Sequence, residues 1–116
     1  MIRGACQQFR FKMPYNFEEL KAIRITFWQE NDNGDEDSVK ITKEVLPSPD
    51  TESGYDWVQY NEKLLWISLD QTETLQFSVD KKAYVQLRAS TQDGFVFASH
   101  VQAISVYPTK DETIFE

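Results

Sequence analysis

Residues Tyr84 to Val106 read YVQLRASTQDGFVFASHVQAISV. Val85, Leu87 and Ala89 alternate with Gln86, Arg88 and Ser90, the period of a strand with one buried face. Asp93-Gly94 supplies the positive φ that a tight reversal needs. On the return, Phe95, Phe97 and Ser99 alternate with Val96, Ala98 and His100. The stretch predicts a β-hairpin, and the other apolar segments read as strands cut to pack on it.

Upstream, Met1 to Gln8 is a lead-in. Phe9, Phe11 and Met13 alternate with Arg10 and Lys12 as a first strand, which Pro14 ends because proline cannot donate to a ladder. Asn16 to Glu19 suggests one helical turn with Glu18 and Glu19 at its positive end. Ile23, Ile25 and Phe27 form the inward stripe of a second strand; residues 38–44 return as a third. Gln29 to Asp37 between them reads as an acidic turn, long for a hairpin. Val45 to Gly54, with Pro47 and Pro49, reads as a surface loop. Tyr55 to Tyr60 reads as a short edge strand, and Leu65, Ile67 and Leu69 as the next inward stripe.

Asp70 to Glu73 fits a capping box, in which Asp70 accepts from an early amide and Glu73 reaches back. That predicts one helical turn, with Leu75 as a core plug. Phe77 and Val79 read as a brief strand leading through Asp80-Lys81-Lys82 into the hairpin. Tyr107-Pro108 stops the last strand. Residues 1–108 thus read as one domain and 109–116 as an acidic tail. About seven short strands with closely spaced turn signals point to an antiparallel two-sheet sandwich, with an open barrel as the alternative. The Cys-Trp-Cys set of an antibody-type domain is missing.

A chain of 116 residues with 41% hydrophobic residues, including eight Phe, five Tyr and three Trp, has enough apolar mass for one core and no room for a second. The single cysteine, Cys6, cannot form an internal disulfide. A net charge of −7 and scattered basic residues argue against a nucleic-acid surface. No apolar run reaches the roughly 18 residues of a membrane span, and residues 1–20 lack the apolar core of a signal peptide. These features suggest a protein made and kept in a reducing cytoplasm until assembled.

Little in the chain suggests catalysis. Nucleophilic chemistry needs a positioned base; the single histidine, His100, follows Ser99 in a strand, where neighbours face opposite sides. One histidine and one distant cysteine make a zinc site improbable. The acidic loop invites a calcium reading, but its register fails. With Gly34 at the sixth place, the first ligand falls on Gln29 and the twelfth on Lys40. A looser set of Asp32, Asn33, Asp35 and Asp37 remains. No catalytic residue, metal or cofactor is expected.

The aromatic residues carry the strongest functional signal. Trp28 and Trp66 fall opposite the inward stripes of their strands, and Tyr55, Trp57 and Tyr60 lie on the edge segment. Outward rings suit a protein partner or a sugar; alternatively loops cover them. Trp and Tyr are common at interface centres, which favours protein.

The opening Met-Ile-Arg-Gly, followed by Phe9-x-Phe11-x-Met13-Pro14, resembles small prophage proteins of Gram-positive bacteria. The run Leu69-Asp70-Gln71-Thr72-Glu73-Thr74-Leu75-x-Phe77 is similar to their Leu-Thr-Gln-Glu-Glu-Thr-Leu-x-Phe segment. So is the block Val85-Gln86-Leu87-Arg88, Thr91-x-Asp93-Gly94 and Ala98-Ser99. The strand, Asp-Gly turn and strand also resemble the immunoglobulin-like N-terminal domain of phage baseplate upper proteins. The resemblance implies an all-β, antiparallel immunoglobulin-like β-sandwich. It also implies a non-enzymatic structural or assembly role in a phage tail or baseplate, with protein partners or self-association. Such a chain would be cytoplasmic in the bacterium before assembly and virion-borne after it. The rival expectation is a carbohydrate-binding module recognising a cell-wall glycan.

Overall fold

The computed structural model describes residues 1–30, 37–47, 57–110 and 114. The strands are β1 (Gln7–Lys12), β2 (Leu20–Glu30), β3 (Asp37–Val45), β4 (Val58–Asn61), β5 (Leu64–Leu69), β6 (Ala83–Thr91), β7 (Val96–Ala98) and β8 (Gln102–Ile104). A 3-10 turn, Phe17–Glu19, precedes β2, and a single helical turn, α1 (Gln71–Thr74), follows β5. The first sheet has the order β1-β5-β4. The second has β3-β2-β6, with β7 and β8 in succession along the free side of β6. Every pairing within these sheets is antiparallel. This is the strand order of an immunoglobulin-like sandwich, so the sandwich expectation holds over the barrel.

The inward stripes meet as predicted. Phe11 on β1, Ile23, Ile25 and Phe27 on β2, Leu65, Ile67 and Leu69 on β5, and Val85, Leu87 and Ala89 on β6 are all buried in one core. Burial of each of these side chains other than Ala89 contributes about 1.5–3 kcal/mol. Phe9 of the first sheet meets Phe27 of the second, with ring centroids 5.1 Å apart. The predicted capping box is present: Asp70 Oδ1 accepts from the Glu73 amide at 2.8 Å, and Glu73 Oε1 from the Asp70 amide at 2.9 Å.

Four local expectations are corrected. Gln29 is not in a turn. It is a fully buried member of β2, opposite Val39, and β2 runs on to Glu30 while β3 begins at Asp37. Val45 ends β3 in the core rather than starting a loop. Phe77 and Val79 form no strand; Phe77 is fully buried while Leu75, the expected plug, is only half-buried. The return arm of the hairpin is two strands, because one extra residue sits between them. Arg88 faces Ala98, yet Ala83 faces Ile104.

A side chain fills this bulge. The Ser99 amide donates to the Leu87 carbonyl at 2.8 Å, and the Leu87 amide donates to Ser99 Oγ at 3.0 Å. The hydroxyl thus replaces the carbonyl that the extra residue displaced. At the hairpin tip Gly94 adopts φ 93°, as the Asp-Gly reading requires. The Thr91 hydroxyl donates to the Asp93 carboxylate and holds its pKa below the usual carboxylate value.

The lead-in is tied to the end of the domain. Ile2 bridges Tyr107 in parallel, and the Gly4 amide donates to Thr74 Oγ1 at 3.0 Å. Of the predicted tail, Thr109, Lys110 and the exposed Ile114 are described.

Candidate interaction surface

The outer face of the second sheet is built in rows by strand register. Lys40, Trp28, Tyr84 and Ala103 stand side by side, followed by Thr42, Thr26 and Gln86, then Glu44, Arg24, Arg88 and Ala98. The Trp28 and Tyr84 rings stack with centroids 5.7 Å apart and planes 29° from parallel. Both rings are half-buried, and each presents an apolar body with a polar tip. Arg24 Nη2 lies 3.0 Å from Glu44 Oε2, and both side chains are about half exposed. Such a pair contributes at most about 1 kcal/mol to stability. It offsets the like charges of Arg24 and Arg88 across the β2–β6 ladder. Along the free edge, Val96 is 55% and Val101 49% exposed, and Phe95 at the hairpin tip is 55% exposed.

The predicted site residues do not come together as one platform. Trp28 lies on the outer face of the second sheet. Trp66 lies on the outer face of the first, opposite Arg10 of β1 and Gln59 of β4. Tyr60 shares the inward row of β4 and stacks on Phe17, centroids 3.9 Å apart. Trp57 is half-buried against the core, with Lys43 Nζ 4.8 Å from its ring centroid. Tyr55 lies outside the described residues. His100 is exposed in the bulge, and Cys6 is exposed ahead of β1. Of the looser calcium set, Asp32, Asn33 and Asp35 lie outside the described residues, as does the Asp37 side chain. Among the described residues no three His, Cys, Asp or Glu side chains are grouped to hold a metal ion, and no helix is long and apolar enough to cross a membrane.

The comparisons with known proteins are sparse. No family model matches the chain, and no curated protein does. Among solved structures, murine CRIg is similar at a TM-score of 0.39 and 9% identity, over 95% of this chain and 90% of that one. The V domain of amphioxus IgVJ-C2 is similar at 0.31 and 12%, over 91% and 96%. The immunoglobulin-like assignment rests on the strand order, to which scores of this size add no argument.

Two features escaped the sequence reading. Alternation gives Tyr84 only a strand position; its partnership with Trp28 follows from the β2–β6 register. Lys43 continues the inward phase of Val39 and Ile41, an odd place for a lysine. Its Nζ donates to the Ser68 carbonyl and to Glu73 Oε1, each at 2.8 Å. The side chains are only 10% and 20% exposed, so the pair clamps β3 to the β5–α1 corner. Lys43→Ala should lower the unfolding free energy by about 2 kcal/mol, because it leaves a half-desolvated carboxylate behind. Lys43→Ala/Glu73→Gln should recover part of that loss, as read by urea titration.

Proposed function

We propose that this chain is a non-enzymatic protein-binding module, serving as a structural or assembly component of a phage tail or baseplate. The carrying observation is the Trp28–Tyr84 stack on the outer face of the second sheet, beside an edge that exposes Val96 and Val101. A stacked pair of amphipathic rings on a sheet face suits a protein contact, because Trp and Tyr are common at the centres of such interfaces. The motif resemblance to small prophage proteins supplies the setting. The glycan alternative has less support, since the tryptophans it would use stand on opposite faces.

The test is mass spectrometry of purified particles from an induced lysogen carrying the chain. The wild type should be present in stoichiometric amount. Trp28→Ala/Tyr84→Ala should fold, lose about 1 kcal/mol from the ring pair beyond the area the rings bury, and drop out of the particle. Intact particles without the wild-type chain would overturn the structural role. Particles that retain the double variant would remove this face from it.

A further inference from the structure

Among the described residues the two sheets leave four edges, and three of them are blunted. β3 points Lys43 inward, β4 is four residues long, and the β7–β8 edge is bent by a one-residue bulge. Inward charge, shortness and bulges all discourage further strand pairing. The fourth edge, β1, is six residues long with neither a bulge nor a proline. In the immunoglobulin-like order another strand, the first of the domain, lies beside the position that β1 occupies. Here the lead-in bridges Tyr107 instead, at Ile2. Among the described residues β1 pairs with β5 alone.

The register says which groups this edge offers. The Met13 amide donates to the Lys63 carbonyl at 2.8 Å, and residues 7, 9 and 11 face 69, 67 and 65 in the same register. Hydrogen-bonded pairs recur at every second residue of an antiparallel ladder. The amides and carbonyls of Gln8, Arg10 and Lys12 therefore point away from β5. The half-buried Gln7 side chain donates to the Gln8 carbonyl at 3.2 Å. On one side of this edge stand Phe9, half-buried, and Phe11; on the other stand Gln8, Arg10 and Lys12, all exposed. Neither Arg10 nor Lys12 has a carboxylate partner among the described residues.

We propose that the open edge of β1 receives an extended acidic segment of a partner protein, which completes the first sheet as its fourth strand. This rests on the reading of the chain as a protein-binding module and names its mode of contact. Backbone bonds to Gln8, Arg10 and Lys12 would hold the segment. Its carboxylates would stand beside Arg10 and Lys12, and its alternate apolar residues would cover Phe9. A second copy is a poor occupant. Antiparallel pairing of two β1 strands about Arg10 sets arginine against arginine.

The probe is a short synthetic peptide alternating valine with glutamate, and its control alternates valine with lysine. The readout is amide hydrogen exchange of the full chain by NMR. The glutamate peptide at saturation should slow exchange at Gln8, Arg10 and Lys12 by about tenfold or more, and the lysine peptide should not. Arg10→Pro removes an amide that β5 does not use, so it should keep the fold and abolish the slowing at Gln8 and Lys12. Arg10→Glu/Lys12→Glu, which leaves the backbone untouched, should transfer the preference to the lysine peptide. No slowing at β1, slowing at the Val96–Ile104 edge instead, or equal response to both peptides would overturn the proposal. If the wild type still enters particles while β1 stays silent, only this mode of contact fails. Absence from particles removes the broader reading.

Discussion

Phe77→Ala lowers the unfolding free energy by about 3–5 kcal/mol, as read from the urea midpoint. Phe77 belongs to no strand, but its side chain is fully buried in the same core as Leu69 and Val85. The loss combines the transfer of a large ring to water with the cavity left behind, and the fixed strands around it limit collapse. Phe77→Leu keeps most of the volume and should cost less than about 1.5 kcal/mol. A loss below about 1 kcal/mol for the alanine variant would show that this segment is not part of the cooperative core. Alternation placed Phe77 in a brief strand. The structure makes it, rather than the half-buried Leu75, the plug that anchors the crossing from α1 to β6.

The second large effect is at Gln29. Its Nε2 donates to the carbonyls of Ser78 and Lys81 at 2.8 and 3.1 Å, and its Oε1 accepts from the Ser78 amide at 2.8 Å. One buried amide thereby satisfies three backbone groups of the turn that feeds β6. Gln29→Leu fills the space but strands those groups, each worth about 1–3 kcal/mol when left unpaired. With partial rescue by water, the net expectation is a loss of about 3 kcal/mol and a fall in Tm of about 10–20 °C.

Gln29→Glu separates polarity from shape. Its carboxylate can accept from Ser78 but faces two carbonyls, which favours the protonated form and raises its folded pKa above the unfolded one. The penalty relative to wild type should therefore shrink as pH falls and grow as pH rises through that raised value. An equal penalty at pH 4 and pH 8 would sink the hydrogen-bond account.

How far the fold was legible depended on local phase. In β5, in β6 and in β2 from Ile23 to Gln29 each inward residue is separated from the next by one outward residue, so pattern and structure agree; at the start of β2 the register slips between Leu20 and Ala22. The phase is broken in the return arm of the hairpin, where Phe97 and Ile104 both accompany the inward rows although one is odd-numbered and the other even. Only the extra residue at the Ser99 bulge reconciles them, and nothing local marks it. Gln29 failed for a different reason. A polar residue before an acidic run looks like a turn, and its partners lie 49 and 52 positions away.

The candidate surface was partly legible. Trp28 is out of phase with Ile25 and Phe27 and does face outward, as does Trp66 on its own strand. Alternation assigns a face to each strand separately and cannot say which sheet the strand joins. Trp28 and Trp66 therefore looked like one set, and sheet assignment put them on opposite sides of the molecule. Tyr60 was grouped with them by its place on an edge segment, yet its register with Leu65 turns it inward.

By itself, the sequence determined most of the strands, the Asp-Gly hairpin tip, the Asp70 cap and most of the core, because each is set by neighbours a few residues apart. The tertiary structure decided which strands share a sheet, where the register slips, which polar side chains are buried and which edge is left unpaired among the described residues. Those outcomes depend on contacts between residues dozens of positions apart, whose relative phase is fixed only when the two sheets close on one core.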